Sequence, residues 1–157
     1  MHRAAAILVQ KNPLLMESSS ESITLVRDAL HNPGEPRHFM RIVPTEEMFV
    51  ACIGQTELAR SSQALKLKEV AYDIYDPVIY FPREDVRMTL LARTERSTHC
   101  PLKGHTEYFD ARLPDGSCRE NVAWSYVRVI PPAALIDHYV AFDSRLVDVR
   151  TEVRPPA

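Results

Sequence analysis

A chain of 157 residues, 45% apolar and 25% charged, has room for one domain with its own core and too little for two ordinary ones. Its net charge is −2, with the basic residues scattered, which leaves no electrostatic footprint for nucleic acid. No apolar run approaches the roughly 20 residues that a membrane-spanning helix requires, so neither nucleic acid nor membrane is expected as a partner.

The opening "MHRAAAILVQK" is too short in its apolar part for a secretory signal. Cys52, Cys100 and Cys118 form no close pair in sequence and read as free thiols of a reducing cytoplasm. Residues 1–38 are serine-rich and proline-interrupted, and read as a partly disordered extension, with Met16 and Met40 as alternative starts. Within it, Ser22 can cap a short helix over Ile23–Leu30, ended by "HNPG".

A single domain is expected over residues 39–153, followed by a tail at 154–157. From Met40 onward, short alternating runs separated by turn signals carry the β signature. "MFVACI" and "TELARS" flank Gly54-Gln55 as a hairpin. "ALKLKEV" sets Leu65 and Leu67 against Lys66 and Lys68, the alternation of a strand buried on one face. "DPVIYFP" is a further strand, bounded by proline at each end. In "REDVRMTLLAR", Val86 and Leu90 are four apart, which predicts a short helical turn after Pro82. "HTEYFDARL" and "CRENVAWSYV" flank Asp115-Gly116, a strong hairpin signal. "PPAALIDHYVAF" predicts one amphipathic helix, with Leu135, Ile136, Tyr139 and Val140 on its apolar side. "RLVDVRTEV" returns to strand alternation. The fold class is therefore mainly β and antiparallel, with one or two short helices. It has no βαβ repetition of the nucleotide-binding kind.

Chemistry-bearing residues concentrate in "STHCPLKGHTEY" (97–108). Each cysteine stands alone, and His99 and Cys100 are adjacent, so they point to opposite faces of a strand. Neither a metal nor a cofactor is expected from that spacing. Cys100 is the candidate catalytic nucleophile if a histidine reaches it, and otherwise a packed free thiol. Lys103 before Gly104 offers a cation beside an approachable backbone, without the several glycines of a phosphate loop. Arg83 and Asp85, after an apolar strand, read equally as a solvated helix start and as an anion clamp. Trp124 and Tyr126 share one strand face, and Tyr108 lies on the opposite hairpin arm. Such aromatics form either core or the plates of a pocket.

Taken together, "YFPREDVRMTLL", "STHCPLKGHTEYFDARL", "NVAWSY", "PPAALIDHYVAF" and "RLVDV" resemble the domain-of-unknown-function family 427. They follow its order and spacing from about Met40 to Val149. The resemblance implies a single antiparallel tent-like sheet domain, of the topology also found in methionine sulfoxide reductase B, without importing that enzyme's chemistry. The family also bears a nucleotidyltransferase-type label, but no Gly-Ser motif with paired aspartates occurs in this chain. The family's shared positions fall on Pro82, Arg83, Asp85, Cys100, Pro101, Lys103, Gly104, Tyr108, Trp124, Ser125 and Tyr126. Leu102 and Phe109 stand where relatives usually carry tyrosine and often tryptophan, and "AFDSRLVDV" lacks the aromatic that commonly follows "AF".

The resulting expectation is a pocket for a small anionic or zwitterionic molecule, lined by Arg83, Asp85, Cys100, Lys103, Tyr108, Trp124 and Tyr126. On that view Arg83→Ala and Lys103→Ala abolish binding and leave stability nearly unchanged. The alternatives are a thiol-dependent enzyme using Cys100 and a non-catalytic protein-interaction module.

Overall fold

Residues 25–153 are described by a computed structural model of the chain. Two-residue alternation becomes strand throughout. The strands are β1 (Leu30–Asn32), β2 (Glu35–Pro44), β3 (Met48–Ile53), β4 (Thr56–Ser61), β5 (Leu65–Val70) and β6 (Val78–Phe81). They continue with β7 (Leu91–Cys100), β8 (Gly104–Arg112), β9 (Cys118–Val129), β10 (Val140–Phe142) and β11 (Asp148–Glu152). An eight-stranded sheet runs β1-β2-β5-β6-β10-β9-β8-β7, and a three-stranded sheet runs β11-β3-β4. Neighbouring strands pair antiparallel, so the fold is mainly antiparallel β as expected.

The pleat divides neighbouring residues between two cores. Phe81, Phe109, Ala123, Val140 and Phe142 pack on one face of the large sheet against Phe49, Ala51 and Leu58 of the small one. Their sequence neighbours Tyr80, Trp124 and Ala141 belong to the opposite face, with Met40, Leu67, Leu102, Tyr126 and Ile136. Full burial of a side chain such as Phe81 or Leu67 contributes about 1.5–3 kcal/mol, so both faces stabilise the sheet.

The two hairpins anticipated at glycine turns are present. Gly54 (φ 57°) joins β3 to β4, and Gly116 (φ 83°) lies in the β8–β9 turn. In the latter, Asp115 Oδ1 accepts from Ser117 N at 2.8 Å and from its Oγ at 2.6 Å.

Two local expectations are corrected. The helix over Ile23–Leu30 is absent in its described part. Asp28 adopts a left-handed φ of 54°, which interrupts any helix, and Leu30 pairs with Met40 in the sheet. Within "HNPG", His31 and Asn32 belong to β1 and Pro33-Gly34 make the turn into β2, which runs through residue 39. Residues 1–24 and the tail at 154–157 lie outside the described residues.

The amphipathic helix of 131–142 is a 3-10 turn over Pro131–Ile136 followed by β10. His138 (φ 61°) ends the turn, and β10 fills the slot between β6 and β9, whose backbone groups demand a partner there. Leu135, assigned to the apolar side, is exposed. Beyond Pro82 the chain makes two 3-10 turns, Arg83–Asp85 and Met88–Leu90, so the short helical turn expected there is present. Among the described residues no helix is long and apolar enough to cross a membrane.

Candidate functional site

The alternation that buries Leu65 and Leu67 continues one step further, to Glu69. This places a carboxylate on the core-facing side of β5, opposite Met40 of β2. His38, two residues before Met40 on the same side of β2, lies diagonally across from it. Its Nε2–H donates to Glu69 Oε1 at 2.7 Å, because a carboxylate can only accept. The other carboxylate oxygen, Oε2, accepts from Lys103 Nζ at 2.5 Å.

Lys103 is only 5% exposed, and its ammonium also lies 5.8 Å from the centroid of the Tyr126 ring. The turn that presents it is pinned on both sides: Lys103 N–H donates to Cys100 O at 3.2 Å, and Ile130 N–H donates to Lys103 O at 3.1 Å. Gly104 then has φ 117°, and a Cβ there would lie 2.2 Å from the Arg128 carbonyl oxygen. The glycine of "PLKGH" thus serves close approach to β9, and the lysine turns inward to a carboxylate.

Burial pushes the Glu69 carboxyl upward, but the Lys103 ammonium and the His38 hydrogen bond outweigh it and hold the group below its ordinary value. Cys100, half-buried at the end of β7, completes the cluster. Its Sγ, a ring nitrogen of His38 and a Glu69 oxygen all lie within 4.8 Å of one another. Two phenols sit alongside, Tyr80 and Tyr126, with ring centroids 6.5 Å apart. Burial raises both well above the usual phenol value.

The seven residues singled out from the sequence separate into groups. Cys100, Lys103 and Tyr126 come together. Trp124 joins them through Tyr80, whose hydroxyl accepts its Nε1–H at 3.2 Å. Tyr108 shares a rung with Trp124, but its hydroxyl bonds Thr98 Oγ1 at 2.9 Å and its ring stacks under the Arg96 guanidinium at 4.2 Å. Arg83 packs on the Phe109 ring, at 5.7 Å, and so belongs to the opposite face of the sheet. Its Nη1 is buried without a hydrogen-bond partner among the described residues. Asp85 follows it in the same 3-10 turn and does not approach Lys103 through any described ion pair.

Beside the cluster opens a cavity of about 550 Å³, bordered by Arg37, His38, Glu69, Tyr72, Tyr75 and Pro101. Arg37 at its edge is fork-bonded to Glu35 at 2.9 and 3.0 Å. The site therefore offers a cation, a carboxylate, an imidazole and a thiol within a few ångströms, next to two tyrosine plates.

His38, Glu69 and Tyr80 were not among the residues expected from sequence. Glu69 carried a legible signal, as a carboxylate in register with two buried leucines. His38 lay within the segment read as an extension.

A comparison with functionally curated proteins yields no match. A family model described as "Domain of unknown function (DUF427)" matches residues 41–153, a span that contains Glu69, Cys100 and Lys103 and begins just after His38. With the match covering most of the chain, the protein belongs to the DUF427 family.

Proposed function

We propose that the domain binds a small anionic or zwitterionic molecule in the cavity beside the Lys103–Glu69–His38 cluster. The observation that carries this reading is a buried charged network bordering a cavity of about 550 Å³. Buried charges are costly, and they persist where hydrogen bonds hold them in a defined geometry. The His38 imidazole can meet a polar group of the ligand, Glu69 can meet an ammonium, and Tyr72 and Tyr75 offer flat apolar contact. Lys103 acts here by fixing Glu69, since its own charge is already engaged.

The test is a thermal-shift screen of aromatic carboxylates, aromatic amino acids and nucleoside monophosphates. At least one class is expected to raise the melting temperature of the wild type, with the shift lost in Tyr75→Ala. Absence of any shift, or a shift that survives Tyr75→Ala and His38→Ala together, removes the reading.

A second reading, a thiol-dependent enzyme, is favoured by the approach of His38 to Cys100 with Glu69 orienting the imidazole. It requires Cys100 to alkylate with a midpoint well below about 8.5, the free-cysteine value. A thiol modified only after denaturation excludes it.

A further inference from the structure

We infer that His38, Glu69 and Cys100 form a site for one divalent transition-metal ion of the zinc type. The three donor atoms already lie within 4.8 Å of one another. Metal bonds of about 2.0–2.3 Å place neighbouring tetrahedral donors roughly 3.3–3.8 Å apart. Small inward shifts of flexible side chains therefore close the set. Nitrogen, oxygen and sulfur together suit zinc and its neighbours, whereas calcium and magnesium take oxygen donors.

The donors come from three different strands, β2, β5 and the end of β7, each held by sheet pairing. Such a site leaves no spacing motif in the sequence. Three protein donors leave a fourth position, and His38 and Glu69 both border the large cavity. A water or a ligand oxygen can complete the tetrahedron there, as in zinc sites that act on substrates.

Lys103 is the evident objection, since it already bonds Glu69. It occupies Oε2 alone, while Oε1 faces His38. The ion would use the Oε1 side, and Lys103 would stay behind it as the group that orients the carboxylate. Its charge weakens binding, which makes the thiolate bond to Cys100 decisive. The proton balance is simple. Whichever ring nitrogen binds, the imidazole remains neutral, its single N–H carried on the other nitrogen. Glu69 is already ionised, so one proton leaves per ion, from the Cys100 thiol.

This inference uses side chains of the proposed ligand site but is tested with the ion alone, so its failure would leave the organic-ligand reading untouched. The folded protein, fully reduced, is titrated with Co²⁺. The expected result is one ion per chain, with a thiolate-to-cobalt charge-transfer band and the intense visible bands of a four-coordinate ion. Zn²⁺ should displace it. The charge-transfer band should vanish in Cys100→Ser and persist in Cys52→Ser and Cys118→Ser. A variant-free measurement runs in parallel: Zn²⁺ should protect Cys100 of the wild type from iodoacetamide, read by peptide mass spectrometry. Absence of the band in the wild type, its survival in Cys100→Ser, or unprotected Cys100 at saturating Zn²⁺ each overturns the site.

Discussion

Glu69 and Lys103 stand 34 positions apart in sequence and 2.5 Å apart in space, joining the end of β5 to the turn between β7 and β8. Both are largely buried, with side-chain exposures of 17% and 6%. Removing one partner strands a charge, which costs about 3–5 kcal/mol. Lys103→Ala is therefore expected to destabilise the fold by that order, against the sequence-based expectation of unchanged stability. Glu69→Leu combined with Lys103→Met should cost much less than either single change. Urea melts of the two single variants and the double variant measure the coupling, and additive losses would contradict it.

Gly104 is irreplaceable for a backbone reason. At φ 117°, with a Cβ 2.2 Å from the Arg128 carbonyl, an alanine meets rigid main chain and not a movable side-chain tip. Gly104→Ala should lose at least about 1–3 kcal/mol from the strained conformation alone. Gly54→Ala is the control, with a left-handed φ of 57° and open space around its Cβ. Chemical denaturation should rank Gly104→Ala as clearly the worse of the two.

Why was the strand pattern legible and the site only half so? Alternation is a local property, and "ALKLKEV" or "MFVACI" displays it without knowledge of any partner. The prolines of "PPAALIDHYVAF" mark the start of a turn equally well, but nothing local shows that β6 and β9 leave a slot for β10. The site fails in the same way. Cys100 and Lys103 announce themselves by chemistry, whereas His38 and Glu69 matter because β2 pairs with β5 in one register. Arg83 shows the converse: it sits beside the site residues in the motif order, yet the 3-10 turn after β6 carries it to the Phe109 face. Long-range pairing, not residue type, decided membership.

Tyr80 and Tyr126 give the protein an alkaline limit. Burial raises both phenols above the ordinary value of 10.0. A folded pKa above the unfolded one means that the unfolded chain binds fewer protons at high pH. The stabilisation is therefore complete below about pH 10 and is lost as pH rises beyond it. In an ultraviolet titration of the six tyrosines, two should resist ionisation until the fold is lost. The Tyr126→Phe variant should show one such laggard fewer. Six phenols ionising together near pH 10 in a protein that is still folded would refute this account.

Arg83 separates the pocket imagined from motif order from the one that the sheet builds. Its guanidinium stacks on Phe109, and Nη1 is buried without a partner among the described residues. A buried donor left unpaired costs about 1–3 kcal/mol, while the aliphatic stem packs favourably. Arg83→Met retains the stem and removes the unpaired donor, so it should be neutral or stabilising. Arg83→Ala also removes the packing and should destabilise by about 1–2 kcal/mol, in the ordinary range for such losses. Neither change should alter any thermal shift produced by a ligand at the His38–Glu69 cavity, because the sheet lies between them. Should Arg83→Met abolish that shift while the protein stays folded, Arg83 contacts the ligand and the two faces communicate.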